Sequence, residues 1–120
     1  MKLFNSNRTN PMNNMTDEEA KEFNLGCAEY LGYHDCYIDS VGEFRCKHVN
    51  TEFSFNPAHD SNDLDPVIEK MKLDIMFDQS YDYWEVSNEA IANPVMWTET
   101  DKDRNTAIIK CIQQVLRGKV

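Results

Sequence analysis

Only four glycines occur in the 120-residue chain, and they are scattered, so no glycine-rich loop exists to cradle a phosphate. No apolar run approaches the length of a membrane span. The opening stretch MKLFNSNRTNPMNNM has neither the apolar core nor the cleavage site of a signal peptide. A cytoplasmic protein is the expectation. Bases are scarce too, twelve Lys and Arg against 21 Asp and Glu, for a net charge of −9. A field of that sign disfavours direct nucleic-acid or membrane-surface binding and favours a basic protein partner. Cysteines at zinc-knuckle spacing and internal repeats are both missing.

The charge that is present is unevenly placed. From Glu52 to Asp103, thirteen acids stand against Lys70, Lys72 and Lys102, whereas four bases and no acid follow from Arg104 onward. The length suits one domain with its own core. Residues 1–15, rich in Asn, read as a flexible N-terminal arm, and 16–120 as a single α+β domain. Four cysteines in such a chain are expected to be buried, reduced thiols.

Thr16-x-x-Glu19 is a capping box, after which Ala20, Phe23, Cys27 and Leu31 recur at helical spacing up to Gly32. Tyr33–Asp39 and Glu43–Val49 alternate about Ser40-Val41-Gly42, a three-residue hairpin loop. That register sets Ile38 opposite Phe44, Cys36 opposite Cys46, and His34 opposite His48. Glu52–Asn56 extends this strand or starts another. Asp65 and Pro66 read as the cap and first position of a short helix carrying Val67, Ile68 and Met71. Leu73, Ile75 and Phe77 then share one strand face. Gln79-Ser80 turns the chain, and Tyr81–Ser87 returns with Trp84 and Val86 inward. A short strand near Val95–Trp97 is possible. Thr100 can cap a last helix with Asp101 and Asp103 in its first turn. Ala107, Ile108, Cys111, Ile112, Val115 and Leu116 form its apolar stripe. The expected fold is α+β, an antiparallel sheet built from hairpins and covered by helices, in the order α-β-β-α-β-β-α.

Several pieces of this order resemble the small phage-encoded "ABA sandwich" domain family. They are Tyr30-Leu31-Gly32-Tyr33 closing the first helix, Phe53-Ser54-Phe55-Asn56-Pro57 closing a strand, and the acidic turn Asp60–Asp65 leading into Pro66-Val67-Ile68-Glu69-Lys70-Met71. Trp84 on a strand and Ala107-Ile108-Ile109-Lys110-Cys111 in the last helix complete the set. The resemblance spans about residues 16–118. It implies a bacteriophage or prophage origin, hence a bacterial host cytoplasm, and an α-β-α fold. It supplies no catalytic residues. The two hairpin cysteines and the Asn-rich arm depart from the family pattern.

Among candidate chemistries, His34, Cys36, Cys46 and His48 would share one hairpin face, and Cys2His2 is a sound zinc set. Ile38 and Phe44 lie on that same face, which marks it as the core side; no metal is the expectation. Asp60, Asn62 and Asp65 lack the glycine of a calcium loop, and Leu64 stands where a ligand should be. Nothing positions a Ser/His/Asp set, so neither catalysis nor a cofactor is expected. What remains is a strand and turn where Asp78, Tyr81, Asp82, Tyr83 and Glu85 combine aromatic anchors with carboxylates. That composition suits an interface with a basic, nucleic-acid-handling host protein, as in a host-defence inhibitor. A nucleotide-sequestering protein, with Arg45, Lys47 or Arg104 as its cations, and a structural phage component are the alternatives.

Overall fold

The computed structural model describes residues 15–89 and 96–118. Of the expected arm, only Met15 lies within these, and it packs against the core. Helix α1, Asp17–Leu31, begins at the capping box. The Thr16 hydroxyl accepts from the Glu19 N–H at 3.1 Å, and the Glu19 carboxylate accepts from the Thr16 N–H at 2.9 Å. Gly32 ends it in the left-handed region, φ 84°.

Three strands follow, β1 (His34–Ile38), β2 (Phe44–His48) and β3 (Thr51–Ser54), paired antiparallel in the order β1-β2-β3. Asp39 closes the first hairpin by accepting from the N–H groups of Val41 and Glu43. Ile38 pairs with Phe44 and Tyr37 with Arg45, as expected, but His34 pairs with Lys47 rather than His48. The register slips because β1 bulges, with Asp35 in the left-handed region at φ 54°. One extra residue there turns His34 to the other face.

Helix α2 runs from Ser61 to Met71 and is capped by Asp60, whose carboxylate accepts from the Asn62 N–H at 2.9 Å. The expected start at Asp65–Pro66 is therefore corrected, and Pro66 lies inside the helix. Burying Leu64 completely requires a helical turn ahead of the proline, and tertiary packing outweighs the lost backbone bond.

The second sheet is β4 (Asp74–Asp78), β5 (Tyr83–Ser87) and β6 (Thr98–Asp101), antiparallel in the order β4-β5-β6. Thr100 and Asp101 pair with Glu85 and Trp84 in this sheet, so they do not start the last helix. Helix α3, Arg104–Gly118, starts instead behind Asp103, whose carboxylate accepts from the Thr106 N–H at 2.9 Å and its hydroxyl at 2.8 Å. The strand expected near Val95–Trp97 is this β6, which begins after Trp97; Val95 lies outside the described residues.

The class is α+β with antiparallel sheets, in the order α-β-β-β-α-β-β-β-α. Each half carries one strand more than the α-β-β-α-β-β-α reading. The extra strands, TEFS and TETD, are four residues each and too polar to show a period. They also belong to two three-stranded sheets rather than one. Helix α1 packs on β1 and β2, α3 packs on β5 and β6, and α1 touches both α2 and α3. Gly26 permits that last approach, since a Cβ there would stand 3.0 Å from the end of Leu116.

The core gathers Phe23 and Cys27 from α1, Val67 and Met71 from α2, and Val86 from β5. Ala107, Ile108, Ile109, Cys111, Ile112 and Val115 join them from α3. Trp84 and Leu116 are partly buried against it. Asn24, Ser87 and Asn88 are the buried polar residues among those described. Asn24, 4 % exposed, accepts from the Ala58 N–H and donates to the Asn56 side chain, each at 2.9 Å. Asn56 in turn donates its N–H to Asp63 at 2.7 Å, so the turn before α2 is tied to α1 without an unmet bond. Among the described residues, no helix is long and apolar enough to cross a membrane.

Candidate functional site: the acidic aromatic face

The first hairpin brings two of its four candidate metal ligands together. Cys36 and Cys46 meet with sulfurs 3.1 Å apart, but the two histidines diverge. The His34 ring bonds the carboxylate of Asp35 at 3.0 Å, while the His48 ring tilts against Tyr33 at 5.2 Å. Among the described residues, no group of three or more His, Cys, Asp or Glu is placed to hold a metal ion. Cys27, Cys46 and Cys111 are buried, whereas Cys36 is only partly so, because it sits at the bulge of an edge strand. Burial pushes the Cys27 thiol far up and that of Cys111 to about 12.

On the outer side of the same sheet, Arg45 bonds Glu52 at 3.1 Å and lies 3.6 Å from Glu43. The Tyr37 hydroxyl donates to the same Glu52 carboxylate. That bond, then the one from Arg45, holds the Glu52 carboxyl below its usual range. Arg45 is thus already matched by carboxylates.

The second sheet carries the acidic aromatic residues. Alternation along β5 sends Trp84 and Val86 toward α3, and Tyr83 and Glu85 to the opposite side. Across the sheet, Asp78 lies opposite Tyr83, Met76 opposite Glu85, and Asp74 opposite Ser87. Tyr81 is not on the strand. Residues 79–82 form a four-residue loop, and Tyr81 stacks from it onto Tyr83, with ring centroids 5.8 Å apart and planes 15° apart. The loop is longer than Gln79-Ser80 because Asp78 organises it. Its carboxylate accepts from the N–H groups of Ser80 (2.9 Å) and Tyr81 (3.3 Å), and its carbonyl accepts from Asp82 at 2.8 Å. Asp82 takes a left-handed conformation, φ 58°, with its carboxylate 4.0 Å from Lys102.

The structure therefore brings all five expected residues to one hairpin, but in different roles. Tyr81, Tyr83, Asp82 and Glu85 present rings and charge; Asp78 holds the turn that places them. Two further residues, Asp74 and Met76, share this face, whereas Phe77 pairs with Trp84 on the opposite one. Phe77 was expected inward with Ile75. It rests on Trp84 at 5.1 Å yet stays 43 % exposed, because it lies on β4, whereas α3 packs on β5 and β6. Alternation shows which side chains share a face; it does not show how far a helix extends across it.

On the helix side, the Arg104 guanidinium lies over the Trp84 ring at 5.8 Å. No protein-family model matches the chain, and no curated protein matches it.

Proposed function

We propose that this chain is a non-enzymatic, acidic phage-type protein that binds a basic, nucleic-acid-handling host protein through the face of β4 and β5 opposite α3. The observation that carries the reading is the stacked pair Tyr81–Tyr83 set among Asp74, Asp82 and Glu85, on the side of β5 opposite α3. Rings on a rigid strand supply contact area, and carboxylates around them steer and orient a cationic partner. Strand β4 adds a regular five-residue edge on which Met76 is 56 % exposed. The resemblance to a phage family would make the partner a protein of the bacterial host, met in its cytoplasm. Sequestering a nucleotide has less support, since Arg45 is engaged by Glu43 and Glu52, and Arg104 by Trp84.

The test leaves Asp78 in place, because its loss would undo the turn. Asp74→Lys and Glu85→Lys are combined with Asp82→Asn, a residue that tolerates the left-handed backbone. A partner captured from host lysate should bind this variant at least tenfold more weakly, about 1.4 kcal/mol. Its affinity should also lose most of its dependence on salt. Unchanged affinity and salt dependence would leave these carboxylates as solubilising groups alone. A nucleotide that raises the melting temperature, with the gain lost on replacing Arg45 or Arg104, would favour the alternative.

A further inference from the structure

Cys36 and Cys46 are the one thiol pair that the fold brings into contact among the described cysteines, and the proposed binding face makes no use of them. Their sulfurs stand 3.1 Å apart, ten positions apart in the chain, on adjacent antiparallel strands. A disulfide needs about 2.05 Å between sulfurs and Cβ atoms about 3.5–4.5 Å apart, a spacing that neighbouring strands supply. The bulge at Asp35 sets two residues of β1 against one of β2, which brings Cys36 beside Cys46 while its backbone stays on an edge strand. The two sulfurs differ in access. Cys36 is partly exposed, whereas Cys46 is fully buried beneath it. Cys27 and Cys111 are also fully buried, and the sulfur–sulfur contact among the described cysteines is that of Cys36 with Cys46.

We propose that Cys36 and Cys46 form a redox-active dithiol that low-molecular-weight disulfides, such as glutathione disulfide, oxidise to an intramolecular cross-strand disulfide. Cys36, the accessible sulfur, attacks as its thiolate. It forms a mixed disulfide and expels one glutathione thiolate, which takes up the proton that Cys36 gave up. Cys46 then loses its proton to solvent and attacks the Cys36 sulfur, breaking the mixed disulfide and releasing the second glutathione. The protein loses two hydrogen atoms and two electrons, and glutathione disulfide becomes two glutathiones. Burial and the bond to Cys36 push the Cys46 thiol up to about 12, which suits it to the second role and not the first. Contact with its target compensates for a low thiolate fraction, since a fixed neighbour acts at a very high effective concentration. The bond would staple β1 to β2 at the bulge, on the side facing α1.

The experiment uses the full chain, reduced and then equilibrated with glutathione disulfide and glutathione at a series of ratios. Native samples are quenched with acid and alkylated after unfolding. The expected product has lost two hydrogen atoms, retains two alkylatable thiols, and yields a peptide map joining Cys36 to Cys46. Cys46→Ser should halt at one glutathione on Cys36, and Cys36→Ser should take up none while folded. Should either variant fail to fold, the wild-type map decides by itself. A persistent glutathione on wild-type Cys36, a bond to Cys27 or Cys111, or four free thiols under ratios that oxidise the unfolded chain would each overturn the proposal.

Discussion

Val49 stands at φ 60° in the two-residue turn between His48 and Thr51, a conformation that β-branched residues rarely adopt. Its side chain is 71 % exposed, so little packing repays the strain. A left-handed L-residue costs about 1–2 kcal/mol, while glycine costs about 0.5–1 kcal/mol in unfolded-state freedom. Val49→Gly should therefore stabilise the protein by about 0.5–1 kcal/mol, read as a higher urea midpoint at unchanged slope. A lower midpoint would mean that the valine makes a contact worth more than its strain. Residue-scale features divide by range. The Thr16–Glu19 box and the cap at Gly32 were legible because their partners lie within a few positions. The roles of Asp35, Asp78 and Asn24 were not. A bulge depends on the opposing strand, Asp78 serves a turn whose length it sets itself, and Asn24 bonds a segment 34 positions away.

Helix α3 is the element whose pattern and packing agree most closely. Its six expected apolar positions face the core, five of them fully or almost fully buried, with Leu116 partly so. Ile112→Ala should cost about 2–5 kcal/mol in chemical denaturation, the range for truncating a fully buried aliphatic side chain. A loss under about 0.5 kcal/mol would place α3 outside the core. Other elements show where pattern fails. Pro66 reads as a helix start when propensity is considered alone, yet Leu64 pulls the helix back to Ser61. β3 and β6 were legible only loosely, as Glu52–Asn56 continuing a strand or starting one and as a strand near Val95–Trp97, because a short polar edge strand is defined by its hydrogen-bonding neighbour. The acidic aromatic residues were legible as a composition. Their joining into one surface with Asp74 and Met76 depends on the β4–β5 register, which a two-residue turn would have misplaced.

At the scale of the whole molecule, two sheets share no strand, and each has its own covering helix. Cooperation between them rests on side-chain packing, with Gly26 against Leu116 at one crossing of α1 and α3. Gly26→Val places a branched side chain on that crossing, and valine is no worse than glycine for helix formation, so any loss reports packing. The urea midpoint should fall and the slope should decrease as the two halves begin to unfold separately. Unchanged values would show that the halves are held together elsewhere. The same arrangement bears on synthesis. The chain passes from the first sheet to the second once, through α2, so α1 and its three strands are complete while the second sheet is still to be made. At about 5–20 residues per second, α1 waits on the order of 10 s for α3. Until then the side of α1 around Phe23 and Gly26 lacks α3, and a nascent chain would offer that patch to whatever chaperone attends the ribosome.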